Sequence, residues 1–258
     1  MISELRDNLW SDKKYYERIS KVDNLSHPGF ILAKKYCQEA RQILDVGCGD
    51  GSKLSQLGNE KTTRTGCELG EAGIAQGKSK FKNIKFVQLT DEKLPFADGS
   101  FDHVASFFVL EHVENPENVI SEMIRVLDES GLLILLIPNY GSPNRSSPNF
   151  VGNRLVKLIG GFTGDFMNQG VGSWHRVQPR SESMNNFEMD LDTTIEPYLG
   201  SLVLSLKAAK MNVIVKNSYW EMELPKASVL QRLLRMLAGL HLYPFINWGP
   251  HAFVVAKK

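Results

Sequence analysis

Between residues 41 and 138 short apolar runs alternate with amphipathic stretches. The runs Gln42–Val46, Thr65–Glu68, Ile84–Leu89, Asp102–Phe107 and Leu132–Ile137 are β-branched or leucine-rich, and the last is apolar throughout. Short runs of this kind predict strands covered on both faces. Between them Ser52–Leu57, Gly73–Lys80 and Glu117–Leu127 read as helices. In the third, Val119, Ile120, Met123 and Leu127 recur at helical spacing, and Gly131 follows as a turn signal. Alternating strands and helices predict βαβ units, and right-handed crossovers make a doubly wound sheet the natural solution.

The flanks differ in kind. Residues 12–40 predict two helices, the first capped by Ser11 or Asp12 and the second beginning at Ser26 and Pro28. Asn139–Arg180 is rich in Gly, Pro, Ser and Asn, with one apolar helical stretch at Phe150–Ile159. A connection of that length in a compact domain reads as a lid or a substrate-binding segment. Pattern returns with a helix near Ile195–Met211, a strand Val213–Trp220, a helix Ser228–Leu240 and a strand Ala252–Ala256. The expected organisation is an N-terminal helical cap over 1–40 and a single α/β domain over 41–258, with a seven-stranded, mostly parallel sheet. Residues 141–195 form its inserted lid and acceptor-binding segment.

Composition narrows the class. With 42% hydrophobic and 23% charged residues the chain matches soluble globular proteins, not disordered or fibrous ones. No apolar run approaches the roughly 20 residues of a membrane span, and the first residues, Met-Ile-Ser-Glu-Leu-Arg-Asp, lack the apolar core of a signal peptide. The expected location is the cytoplasm. Cys37, Cys48 and Cys67 have no metal-ligand spacing and an odd count, so neither a metal site nor a disulfide framework is expected. A net charge of +1 argues against a nucleic-acid partner. The charge is uneven: residues 1–140 carry 17 basic and 21 acidic side chains, residues 141–258 carry 13 and 8.

Candidate chemistry begins where the first strand ends, at Asp45-Val46-Gly47-Cys48-Gly49-Asp50-Gly51. Glycines at alternate positions let the main chain turn sharply and approach a ligand closely. There is no Gly-Lys-Ser/Thr to hold phosphates, and the spacing is not Gly-x-Gly-x-x-Gly. Asp45 would repel a pyrophosphate and attract an ammonium group. Glu68 ends the second strand, where a doubly wound fold hydrogen-bonds ribose hydroxyls.

These residues resemble the class I S-adenosylmethionine-dependent methyltransferases, in particular small-molecule enzymes of the ubiquinone/menaquinone-methylating type. The likeness continues through Leu94-Pro95-Phe96-Ala97-Asp98-Gly99-Ser100-Phe101-Asp102, Leu110-Glu111-His112-Val113, Glu122, Arg125-Val126-Leu127, Gly131 and Pro138-Asn139, and covers about residues 41–140. It implies a Rossmann-like methyltransferase fold, with S-adenosyl-L-methionine as cofactor and S-adenosyl-L-homocysteine as product. In that reading Asp45, Gly47, Cys48, Gly49 and Gly51 hold the methionine portion, Glu68 holds the ribose, and Leu69 lies against the adenine. Phe107 and Phe108 flank the sulfonium. Many relatives have Gly-Asp-Ala-Glu before Leu-Pro-Phe, whereas this chain has Leu89-Thr90-Asp91-Glu92. Thr90 therefore stands where the family's aspartate meets the adenine amine, with Asp91 and Glu92 beside it.

Methyl transfer from a sulfonium needs alignment and exclusion of water, and a base only when the acceptor carries a proton at pH 7. His112, Tyr140 and His175 are the candidates near the cleft, whereas His27 and His251 read as packing or surface histidines. The acceptor expected is a small molecule or a lipid/glycan intermediate. The alternative is a protein that binds the cofactor as a sensor or partner subunit without catalysis. A nicotinamide-dependent oxidoreductase is disfavoured by the glycine spacing and Asp45. The apolar face of Ser228–Leu240, with Arg232 and Arg235 close by, reads first as packing on the domain and second as a peripheral membrane contact. Oligomeric state is not legible.

Overall fold

A computed structural model describes residues 13–19, 25–90, 93–167, 174–179, 190–222 and 227–258. The proposed caps Ser11 and Asp12, together with Asp91, Glu92 and Arg180, lie outside these residues. Two helices, α1 (Lys13–Ile19) and α2 (Pro28–Tyr36), precede β1 (Gln42–Val46), β2 (Thr63–Glu68), α3 (Glu71–Lys80), β3 (Ile84–Gln88) and β4 (Phe101–Phe107). Then follow α4 (Pro116–Val126), β5 (Leu127–Pro138), α5 (Arg154–Phe166), β6 (His175–Arg176) and β7 (Ile195–Glu196). The chain ends with α6 (Leu199–Ala208), β8 (Asn212–Tyr219), α7 (Val229–Gly239) and β9 (His251–Lys257).

The main sheet has seven strands in the order β3-β2-β1-β4-β5-β9-β8. All pairs from β3 to β5 are parallel, and β9 runs antiparallel to both β5 and β8. Successive strand residues point to opposite faces, so one apolar run feeds two layers. Leu44, Val104, Leu133, Leu135 and Val254 pack with Val119, Met123, Leu202 and Leu206 of α4 and α6. Ile43, Ala105, Ile134, Leu136 and Phe253 pack with Phe30 and Ala33 of α2. Strand order reverses between β1 and β4, which opens a crevice beyond the carboxyl ends of those strands.

Three elements differ from the expectation. Ser52–Leu57 is only a 3-10 turn, Leu54–Gln56, because Gly51 and Gly58 on either side adopt φ of +77° and +73°. The helix read from Ile195 starts at Leu199 instead, because Ile195 and Glu196 pair with Arg176 and His175 and Pro197 follows them. Asn153 caps α5, its side chain accepting from Leu155 N at 2.9 Å and Val156 N at 3.3 Å, so that helix runs Arg154–Phe166 rather than Phe150–Ile159.

His27 and His251 are structural. His27 is buried, accepts from Gly29 N at 3.0 Å as the cap of α2, and lies 3.1 Å from His251 Nδ1. Burial pushes the His27 pKa down to about 4, and burial with the neighbouring His27 and Arg145 pushes His251 to about 3. Both imidazoles titrate near 6.5 when unfolded, so the unfolded chain binds more protons and their contribution to stability is lost as pH falls from 6.5 toward 4. The variant His27→Asn keeps a capping side chain and removes one titration. Its melting temperature relative to the native chain should therefore climb as pH drops below 6.5, in a thermal-shift series. A difference independent of pH would rule the titration out.

Candidate active site

The turn after β1 passes through Gly47, Gly49 and Gly51 at φ of +74°, +55° and +77°. A Cβ on Gly47 would stand 2.4 Å from Val109, and one on Gly51 would stand 2.7 Å from Phe86. A Cβ on Gly49 would meet nothing within 4 Å, so on that side the main chain faces open space. Gly47 N and Cys48 N both donate to Cys67 O, at 2.9 and 3.1 Å, and Gly49 N donates to Glu68 Oε2 at 2.8 Å. The turn and the end of β2 are thus joined into one rim.

Asp45 lies beneath that rim, with 1% of its surface exposed and with Oδ1 lacking any hydrogen-bond partner among the described residues. Burial pushes its carboxyl up to about 7, with Lys53 opposing and Glu68 adding. A buried acceptor of this kind calls for a partner from outside the chain, and a cation suits it. Glu68 is better served: Oε1 accepts from Leu69 N at 2.8 Å, Gly70 N at 3.1 Å and the Tyr16 hydroxyl at 3.4 Å. Tyr16 comes from α1, which closes on this rim so tightly that a Cβ at Gly73 would stand 2.6 Å from its ring.

Leu69 and Thr90 are exposed beside the rim, and Cys48 is buried within it. Phe108 adopts φ +61° and is half-buried, its ring 5.4 Å from that of His251. Phe107 departs from the expectation. It is buried in the core with its ring 5.3 Å from Phe30, so it does not line the crevice.

Beyond β4 a second set of polar groups is collected from distant parts of the chain. His112 Nδ1 lies 3.3 Å from Asp192 Oδ1, and its Nε2 lies 3.7 Å from Glu111 Oε1. Burial pulls the imidazole pKa down, but Asp192, Glu111 and Asp190 outweigh it and hold it above the usual histidine value. Glu111 is buried, which pushes its carboxyl up to about 7. The Tyr140 hydroxyl donates to Asp190 Oδ2 in a short hydrogen bond. Tyr15 of α1 donates to Asp192 Oδ2 at 3.3 Å, so adjacent tyrosines tie this set to the Glu68 rim. Asp190 and Asp192 were not legible in the sequence: they lie about 80 residues from His112 in a segment without pattern.

His175 stands apart. Its Nδ1 is 3.1 Å from Glu196 Oε2, and that buried carboxylate also accepts from Lys157 Nζ at 2.7 Å and Ser147 N at 2.6 Å. Lys157 reaches the Tyr140 carbonyl as well, at 2.8 Å. His175, Glu196 and Lys157 border a cavity of about 470 Å³ whose apolar wall includes Pro143, Phe150 and Val156. The structure therefore brings His112 and Tyr140 to one carboxylate cluster and sends His175 to the neighbouring cavity. Among the described residues no group of three or more His, Cys, Asp and Glu is arranged to hold a metal ion.

Residues 44–135 match the model of a methyltransferase domain. A Mycobacterium tuberculosis protein named a probable S-adenosylmethionine-dependent methyltransferase is 32% identical over 111 residues, 42% of this chain and 40% of its own length. The demethylmenaquinone methyltransferase of Beutenbergia cavernae is 33% identical over 94 residues, 36% of this chain and 39% of its own length. The chain thus spans about 40% of the length of the curated relatives it matches. Among solved structures, an S-adenosylmethionine-dependent methyltransferase from Mesorhizobium loti superposes with a TM-score of 0.58 at 14% identity, over 92% of this chain and 99% of that one. That likeness concerns the fold: a mixed seven-stranded sheet whose strand order is the one described above. In sequence over residues 44–135, and in fold over 92% of its length, the chain is similar to the class I S-adenosylmethionine-dependent methyltransferases.

Proposed function

We propose that this protein transfers the methyl group of S-adenosylmethionine to a hydroxyl-bearing small molecule or lipid/glycan intermediate. The observation that carries the donor half is the partnerless Asp45 oxygen beneath the open main chain of Gly49. When bound, the donor supplies a methyl carbon already activated by a sulfonium. Asp45 would hold its ammonium group, the glycine turn would admit the methionine portion, and Glu68 would accept from the ribose hydroxyls. Leu69 and Thr90 would border the adenine, and Phe108 would shield the sulfonium side from water.

The acceptor half rests on His112. Its Nδ1 faces Asp192, which orients the ring and leaves Nε2 to receive a proton. With the methyl group supplied by the bound donor, His112 Nε2 would take up the proton that the acceptor hydroxyl gives up. Tyr140, held by Asp190, positions the acceptor at the cluster, and the cavity beside His175 receives its body.

Incubating the purified chain with donor tritiated on the methyl group and a metabolite and lipid extract should label an acceptor. Donor binding without transfer favours the sensor reading, which the missing carboxylate at Thr90 supports. No binding of donor or of its demethylated product at millimolar concentration overturns the proposal altogether.

A further inference from the structure

Two helices on the lid side carry apolar residues that, among the described residues, are left exposed. In α5 no residue is buried, and Leu155, Ile159, Phe162 and Phe166 are all exposed, Leu155 at 63% and Phe166 at 56%. In α7 and the residue after it, Val229, Leu233, Met236 and Leu240 repeat the same i, i+4, i+7, i+11 spacing and are likewise exposed, Val229 at 83%. The helix does pack on the domain, through Leu234 and Ala238, but these lie roughly 150° round the axis from the exposed stripe. The apolar face that the sequence reads as core is therefore two faces, and only one of them is core.

The two stripes join. The Phe166 ring lies 5.8 Å from Tyr243, and Phe162 lies 6.1 Å from Phe245 and from Trp248. The Tyr243 hydroxyl donates to Asp165 O at 2.6 Å, and Leu242 and Tyr243 are themselves exposed between the helices. The border of this surface is cationic: Arg154 opens α5, and Arg232 and Arg235 stand exposed on α7. No Asp or Glu occurs from residue 224 to the last residue. The carboxylate of α5, Asp165, is engaged from the protein side by the Tyr198 hydroxyl and Trp248 Nε1, both at 2.7 Å.

A broad apolar surface with a positive rim matches the headgroup–acyl boundary of an anionic bilayer. A second copy fits it worse, because it would bring two arginine rims together. We propose that the α5/α7 surface docks on an anionic phospholipid bilayer, with the apolar stripes in the interface and Arg154, Arg232 and Arg235 on the headgroups. This docking does not depend on the acceptor assigned above. Among the described residues no helix is long and apolar enough to cross a membrane, so the contact is in-plane.

The test is flotation of the full chain with vesicles of phosphatidylcholine alone or with one-third phosphatidylglycerol. The native chain floats with the anionic vesicles, and less so at high salt, where headgroup charges are screened. The double variant Leu233→Glu, Met236→Glu lowers the bound fraction about tenfold or more, and Arg232→Glu, Arg235→Glu removes the preference for anionic lipid. All four positions are exposed, so melting temperature and binding of the demethylated cofactor should stay unchanged, which separates docking from the methyl-donor reading. Native protein that ignores anionic vesicles overturns the proposal. So does equal binding by the stripe variant. Concentration-dependent dimerisation abolished by Leu233→Glu without vesicle binding would assign the surface to a second copy instead.

Discussion

Asp45→Asn should cost the protein its methyl donor and at the same time raise the melting temperature of the unliganded chain. The two effects share one cause. The carboxylate sits where the fold has removed water, with Oδ1 unpartnered, and its pKa stands at about 7 in the folded chain against about 3.9 when unfolded. Between these values the folded state binds more protons than the unfolded one, so stability falls as pH rises through the window. An uncharged Asn escapes that loss. Its advantage should grow from about pH 4 to about pH 7 and stay level above, reaching about 10 °C.

Donor binding reverses the sign. A cation placed against Asp45 needs the ionised form, so removing the charge should weaken affinity at least about a hundredfold, roughly 3 kcal/mol. Below pH 7 donor binding to the native chain must also expel the Asp45 proton. Calorimetry at about pH 6 in buffers of different ionisation enthalpy should show close to one proton released, and Asp45→Asn should show none. Equal affinity in the variant would remove Asp45 from the site, and a lower melting temperature at pH 8 would mean that its buried charge is compensated in the free protein.

What the sequence made legible follows from how local each signal is. The alternation of β1 to β5 with helices, the glycine turn and the acidic end of β2 each depend on residues close together in the chain, and each has chemistry that few other contexts require. The Ser52–Leu57 helix failed because a helical apolar pattern does not outweigh two glycines at positive φ at its ends. Phe107 was misplaced because strand alternation decides which of two adjacent phenylalanines faces the crevice, and that parity depends on register against Leu136. The carboxylates around His112 were beyond reach for another reason. Asp190 and Asp192 arrive from the far side of the lid, and no spacing rule connects them to the residue they surround. The outward stripe of α7 was hidden likewise, since periodicity reports that a face is apolar and not what covers it.

The His112 cluster makes the sharper kinetic prediction, because it moves a pH profile as well as a rate. Burial lowers the imidazole pKa, but Asp192, Glu111 and Asp190 together lift it above the ordinary value. Proton acceptance requires the neutral ring, so turnover with a hydroxyl acceptor should rise with pH through a midpoint above about 6.5. His112→Ala should lower kcat by about a hundredfold to ten-thousandfold with little change in donor affinity. Asp192→Asn removes the nearest charge holding the ring 3.3 Å away, and with it part of the upward shift. The rising limb should therefore move to lower pH in this variant even as its plateau falls, because the imidazole is then neutral over more of the range but less basic and less well oriented. A purely structural Asp192 would lower the plateau and leave the limb where it was. If both variants kept the native profile and rate, the proton would leave the acceptor without His112, and the acceptor would be one that needs no base.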